Sequence, residues 1–135
     1  LAKRGITIET FLGEIPHFVS NSILITQVLL NLVLNARQAI GEKKGKIAIH
    51  ANAAPEAVSI RVVDNGPGMT AEQQSNIFNP TNSGTSTTGG MGIGLWTCQR
   101  LVRHFLSGEI DLKSELGVGT EFIVRLPLKT KIPIV

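Results

Sequence analysis

The chain has 135 residues, 42% of them hydrophobic, and a net charge of +3 with its Lys and Arg scattered along the sequence. That length and apolar content suit one packed core, whereas scattered charge, a single Trp and no Tyr exclude the basic stripe and stacking platform of a nucleic-acid binder. The one cysteine, Cys98, excludes an internal disulfide and a cysteine-based metal cluster, and suits a reducing, cytoplasmic setting.

The apolar runs read as too short for the roughly 20 residues that span a bilayer, and no charged-then-apolar signal heads the chain. No direct membrane contact is therefore expected of residues 1–135, which read as a single domain. The opening Leu1, in place of Met, suggests a piece of a longer protein.

In chain order, Ile6–Leu12 alternates apolar and polar residues and predicts a strand. Ser22–Ile40 predicts a helix buried nearly all round except for a polar stripe of Gln27, Asn31, Asn35 and Gln38. Gly41 is its expected C-cap, with Lys43 and Lys44 at the negative end of the helix dipole. Lys46–Ala53 and Ala57–Asp64 predict a hairpin, and Thr70 is the expected N-cap of a short helix reaching about Phe78. Asn79–Gly90 is rich in Gly, Ser, Thr and Asn and reads as a mobile loop. Met91–Leu106 predicts a third helix with Leu95, Leu101, Val102, Phe105 and Leu106 on its apolar face, and Glu109–Glu115 with Glu121–Leu128 a second hairpin around a turn at Gly117–Thr120.

This order predicts an α/β two-layer sandwich: a mixed, largely antiparallel sheet with helices on one face. A doubly wound parallel sheet is excluded because the strands come in hairpins.

Three features point to phosphate and metal chemistry. Asn31 and Asn35 lie on one side of an apolar helix, where an unsatisfied amide costs ~1–3 kcal/mol, and an amide oxygen is a neutral, hard ligand suited to Mg²⁺. Asp64-Asn65-Gly66-Pro67-Gly68 sets a carboxylate, able to accept from an exocyclic amine, ahead of glycines that let a flat ring approach the backbone. An ordinary Asn-Gly turn is the competing reading, weakened because no paired strand follows. Gly90-Met91-Gly92-Ile93-Gly94-Leu95 opens a helix, where N–H groups and the positive dipole end can close on phosphates. Glycines in a helix cost roughly 1 kcal/mol each relative to Ala, and the lysine of a Walker loop is missing.

The ordered set QVLLNLVLNA (27–36), DNGPGM (64–69), Ile77-Phe78, GMGIGL (90–95) and GVGTEFIVRLP (117–127) resembles the asparagine, glycine and phenylalanine boxes of sensor histidine kinases. These belong to the wider GHKL ATPase superfamily with Hsp90, MutL and gyrase. The resemblance runs from about Gly5 to Pro127 and implies the Bergerat ATP-binding fold. It implies that Asn35 coordinates Mg²⁺, Asp64 binds the adenine amine, and Gly66 and Gly68 shape the base pocket. Gly90, Gly92, Ile93, Gly94 and Leu95 would line the phosphates, Thr120 would join a water network at the adenine, and residues 79–90 would be the ATP lid.

ATP-hydrolysing relatives of this kind carry Glu at the position of Asn31, as general base. Asn31 cannot take a proton, so the resemblance implies phosphotransfer from ATP to a histidine on a partner dimerisation domain, with a response regulator downstream. The domain alone is expected to be a monomer and its parent a cytoplasmic or membrane-anchored homodimer. Two departures stand out: the lid has no Lys or Arg, and Gln38 occupies a place often held by Lys. They favour, as an alternative, a degenerate nucleotide-sensing or docking module. An ATP-driven clamp is a third reading, disfavoured by Asn31. His17, His50 and His104 lack a phosphoacceptor pattern and are expected to be structural, and Cys98 and Trp96 to be core or interface residues.

Overall fold

Alternating apolar residues build a five-stranded sheet, and one long helix packs its apolar stripe across it. The computed structural model describes residues 5–14, 21–79 and 94–128. Its elements are β1 (Ile6–Leu12), α1 (Ser22–Ile40), β2 (Gly45–Ala53), β3 (Ala57–Asp64), α2 (Ala71–Asn76), α3 (Gly94–Arg100), β4 (Glu109–Glu115) and β5 (Gly119–Pro127). The strand order is β1-β2-β3-β5-β4. β1 runs parallel to β2, and every other neighbour is antiparallel. The sheet is therefore mixed and largely antiparallel, with both predicted hairpins formed.

The two faces of the sheet differ in chemistry. Val58, Ile60, Val62 and Asp64 of β3 are buried while the residues between them are only half-buried, the period-2 signature of a sheet covered on one side. The covered side receives Val28, Leu32, Ala36 and Ile40 of α1, spaced four apart so that they form one stripe. Val28, Leu32 and Ile40 each contribute ~1.5–3 kcal/mol on burial, and the methyl of Ala36 about 0.8 kcal/mol. The open side carries paired polar groups instead: Glu9–Lys46 at 3.2 Å, Arg61–Glu121 at 3.0 Å, Arg125–Asp111, and a Phe11–His50 ring stack at 4.7 Å. The exposed pairs among these contribute ~0–1 kcal/mol each.

Both ends of α1 are closed locally. Asn21 accepts the Leu24 N–H at 3.1 Å, and Gly41, at φ 71°, donates its N–H to the Arg37 carbonyl at 3.0 Å. α1 differs from expectation in two ways. It is not buried nearly all round: Ile23 and Leu30 are 77% and 50% exposed, because a single sheet face can cover only one stripe. It is also 19 residues long with mean hydropathy 1.4, so by length and composition alone it could cross a membrane, against the reading that the apolar runs are too short. Its buried stripe and the amides across its middle make it the core helix of this fold.

α2 is bounded by a capping box, with Thr70 Oγ1 accepting the Gln73 N–H at 3.1 Å and the Gln73 side chain accepting the Thr70 N–H at 2.9 Å. The third helix is a correction. From Leu101 to Phe105 it widens into a π turn, with the Leu106 N–H bonded to the Leu101 carbonyl at 3.0 Å. The wider turn keeps Val102 and Leu106 in the core but swings Phe105 out to 67% exposure, so Phe105 is no part of the apolar face. β5 also begins earlier than expected. Gly119 and Thr120 belong to the strand, because Thr120 pairs with both Asp64 and Ser114.

Candidate functional site

At the C-terminal end of β3 the alternation that buries Val62 also turns Asp64 inward, leaving it 4% exposed. A carboxylate there needs donors. The Gly66 N–H supplies one to Oδ1 at 2.8 Å, and the Thr120 backbone N–H, from the neighbouring strand, supplies another. Burial pushes the Asp64 carboxyl above its ordinary 3.8, and these two N–H groups pull it part of the way back.

The Gly66–Met69 segment is held against the β4–β5 hairpin. Gly117 donates to the Pro67 carbonyl at 2.8 Å, and the Met69 N–H bonds Ser114 Oγ at 2.8 Å. Gln74 Nε2 reaches the Met69 carbonyl at 3.0 Å and the Ser114 carbonyl at 3.3 Å. Gly68 is fixed by the protein itself: its φ is +75°, and a Cβ there would lie 2.1 Å from the Glu115 carbonyl oxygen. Gly66 sits where a Cβ would come within 3.0 Å of Asp64 Oδ1.

The amide stripe of α1 splits in two. Asn31 is 8% exposed, accepts from Gln27 Nε2 at 3.3 Å and donates toward the Cys98 sulfur, whose own proton is directed at the Val28 carbonyl at 3.7 Å. Burial pushes that thiol up to about 11, with the Asn31 hydrogen bond opposing. The side chain of Asn35, one turn on and half-buried, makes no hydrogen bond to another described residue.

Asn31 faces the first residue of α3, since the nearest atom to a Cβ built on Gly94 is Asn31 Cγ at 3.7 Å. That is ordinary contact, so crowding by described residues does not account for the glycine. Leu95, which follows, is a buried core residue. Gly90, Gly92, Ile93 and the segment from residue 80 onward that was expected to be a lid lie outside the described residues.

Among the described residues the structure thus brings together Asp64, Gly66, Gly68 and Thr120 at one end of the sheet, and Asn31 and Gly94 where α1 meets α3. A cavity of about 290 Å³ adjoins the first group, between Lys43 and Lys44 and the Asn65-Gly66-Pro67 loop. Another, of about 410 Å³, lies on the open side of the sheet over Ala48, Val63 and Glu121, and borders Asp64 and Thr120 from behind. Ser114 and Gln74 escaped the sequence reading, while Gln27 entered it only as part of the polar stripe of α1. A signal for Ser114 was present: it follows Ile110 and Leu112 at period 2, so a hydroxyl falls on the covered face.

Residues 20–130 match the family of histidine kinase-, DNA gyrase B- and HSP90-like ATPases. The C4-dicarboxylate transport sensor protein DctB of Rhizobium meliloti is 37% identical over 80% of the chain and 17% of its own length. The sensor histidine kinase ZraS of Escherichia coli is 38% identical over 84% of the chain and 24% of its own length, and the sensory histidine kinase/phosphatase NtrB of Klebsiella oxytoca 38% over 87% and 35%. The chain thus spans about a sixth to a third of these relatives. The catalytic domain of histidine kinase ThkA superposes with a TM-score of 0.81 at 31% identity, covering 96% of this chain and 84% of that one. The chain belongs to the histidine kinase-, DNA gyrase B- and HSP90-like ATPases, and within them it is a catalytic domain of the sensor histidine kinase type.

Proposed function

We propose that this domain holds Mg-ATP between α1, the Asp64–Met69 segment and the start of α3, and presents the γ-phosphate to a histidine on a separate dimerisation domain of a cytoplasmic or membrane-anchored parent. A response regulator would receive the phosphoryl group downstream; a solved ThkA structure holds that kinase together with the response regulator TrrA. The residues fit the nucleotide and its metal. Asp64 is an acceptor for an exocyclic amine, the half-buried Asn35 amide has no partner among the described residues, and a Cβ on Gly94 would meet only ordinary contact with Asn31 among them, at 3.7 Å. Mg²⁺, when bound, would neutralise phosphate charge. The protein's own share is positioning: Asp64 orients the base, Asn35 offers a neutral oxygen to the metal, and the first turn of α3 offers N–H groups.

The observation that carries transfer rather than hydrolysis is the buried amide of Asn31, tied to Gln27 and Cys98. It has no proton-accepting group to activate water. The test is incubation of the domain with γ-labelled ATP, Mg²⁺ and the parent's histidine-bearing domain. Acid-labile label on that domain is expected, with little phosphate release when it is omitted. Equal phosphate release without the histidine domain would sink the transfer reading. Nucleotide binding without labelling would favour a sensing or docking module, the reading that Gln38 and a lid sequence lacking Lys and Arg support.

A further inference from the structure

Ser114 Oγ has three neighbours within hydrogen-bond distance and one proton to give. The Met69 N–H approaches at 2.8 Å and can only donate; the Gly119 carbonyl lies at 3.0 Å and can only accept; Thr120 Oγ1 lies at 2.8 Å and can do either. A serine hydroxyl offers one donor and two lone pairs. All three contacts are hydrogen bonds in one arrangement only. Ser114 gives its proton to Gly119, takes the Met69 N–H on one lone pair, and takes the Thr120 proton on the other.

Thr120 is 6% exposed and stands directly opposite Asp64 in the β3–β5 ladder. With its proton committed to Ser114, the Thr120 hydroxyl has only lone pairs left for the pocket. Asp64 beside it, when ionised, is also acceptor-only. We infer that Ser114 is a specificity-determining residue of the base pocket: by fixing the direction of the Thr120 hydroxyl it makes the pocket wall a pair of acceptors, which favours a purine with a 6-amino group over one with a 6-oxo group. The inference rests on the reading of Asp64 as the base-binding carboxylate. Ser114 acts through Thr120 and is a positioning residue. The Gln74 bonds to Met69 and to the Ser114 carbonyl hold the Met69 end of this arrangement in place before any ligand arrives.

Without Ser114 the Thr120 hydroxyl is released to turn and donate, and a 6-oxo purine then meets a donor where it met a lone pair. The test is calorimetric titration of the whole chain with non-hydrolysable adenine and guanine nucleoside triphosphate analogues in Mg²⁺, for the parent sequence, Ser114→Ala and Ser114→Thr. The expected result is a preference for the adenine analogue that narrows about tenfold in Ser114→Ala, the worth of one exchanged hydrogen bond, and returns in Ser114→Thr. A general loosening of the pocket would weaken both analogues alike and leave the ratio unchanged, which overturns the inference. If Ser114→Ala does not fold, Thr120→Val decides: a preference as wide as the parent's overturns it, and a narrowed one supports it. Failure of the parent sequence to bind either analogue would instead bring down the reading of Asp64 on which the inference stands.

Discussion

The two ends of the candidate site are built differently. At the Asp64 end nearly every polar group is already engaged: Asp64 with Gly66 and Thr120, Ser114 with Met69, Gly119 and Thr120, and Gln74 with two carbonyls. At the α1–α3 end the half-buried Asn35 side chain makes no hydrogen bond to a described residue, and a Cβ on Gly94 would meet only ordinary contact among the described residues. The first end is organised by the protein alone and pays its ordering cost on folding. The second leaves bonding capacity unused among the described residues, which the proposed Mg-ATP would take up.

Breaking the organised end should show first in stability. Gly68→Ala places a Cβ 2.1 Å from the Glu115 carbonyl oxygen at a positive φ, and ~2–4 kcal/mol of stability should go, read by chemical denaturation. A loss below ~1 kcal/mol would mean that the segment is less firmly built than its bonds imply.

Next comes the carboxylate. Asp64→Asn should weaken adenine-nucleotide binding roughly tenfold to a hundredfold, since a charge-assisted hydrogen bond is worth ~1.5–3 kcal/mol. Stability should move the other way. Because the folded-state value of Asp64 is raised above 3.8, the folded chain binds this proton more tightly than the unfolded chain, and the stabilisation is lost as pH rises through the raised value. Asp64→Asn should therefore be at least as stable as the parent sequence at neutral pH, with the advantage vanishing below pH 3.8. Equal stability differences at both pH values would remove the desolvated carboxylate from the account.

The reserved end should respond to ligand alone. Asn35→Ala should cost about tenfold in nucleotide affinity with Mg²⁺ present and much less without it, while thermal unfolding of the free domain barely moves. An equal loss with and without Mg²⁺ would take Asn35 out of the metal's reach. The smallest effect is Gly94→Ala, expected to add up to ~1 kcal/mol of stability as a helical Gly-to-Ala change while weakening nucleotide binding. If binding is unaffected, the gap at Gly94 has no bearing on phosphates.

The same contrast explains what was legible in the sequence. Strands showed because one sheet face is covered and the other is not, so Val58, Ile60 and Val62 alternate with Ser59 and Arg61. α1 and its C-cap showed because Asn31 and Asn35 stand out in a largely apolar row that Gly41 ends, whereas its N-cap, Asn21, was not read from the sequence. The reserved residues were easy to single out, since an amide or glycine in a helix contradicts its local setting. Ser114 and Gln74 were not, because their importance lies in pairings across 45 and five residues that no local pattern encodes. The π turn was missed for a related reason. Leu101, Val102, Phe105 and Leu106 satisfy an α-helical period as strings, and only the demand that Leu106 reach the core before the chain turns at Ser107, with φ 57°, selects the wider turn.

The parallel edge strand has a mechanical consequence. The Gly5 carbonyl accepts the Gly45 N–H at 3.2 Å, and the next N–H along, that of Lys46, is held by the Asn65 side chain at 2.7 Å, one residue past Asp64. Tension applied along β1 loads the ladder in shear across the seven register pairs from Ile6 to Leu12. The first bond in that load path adjoins the residue whose side chain ties the segment after Asp64 to β2, so the edge strand and the Asp64 end of the candidate site share a hydrogen-bonded connection.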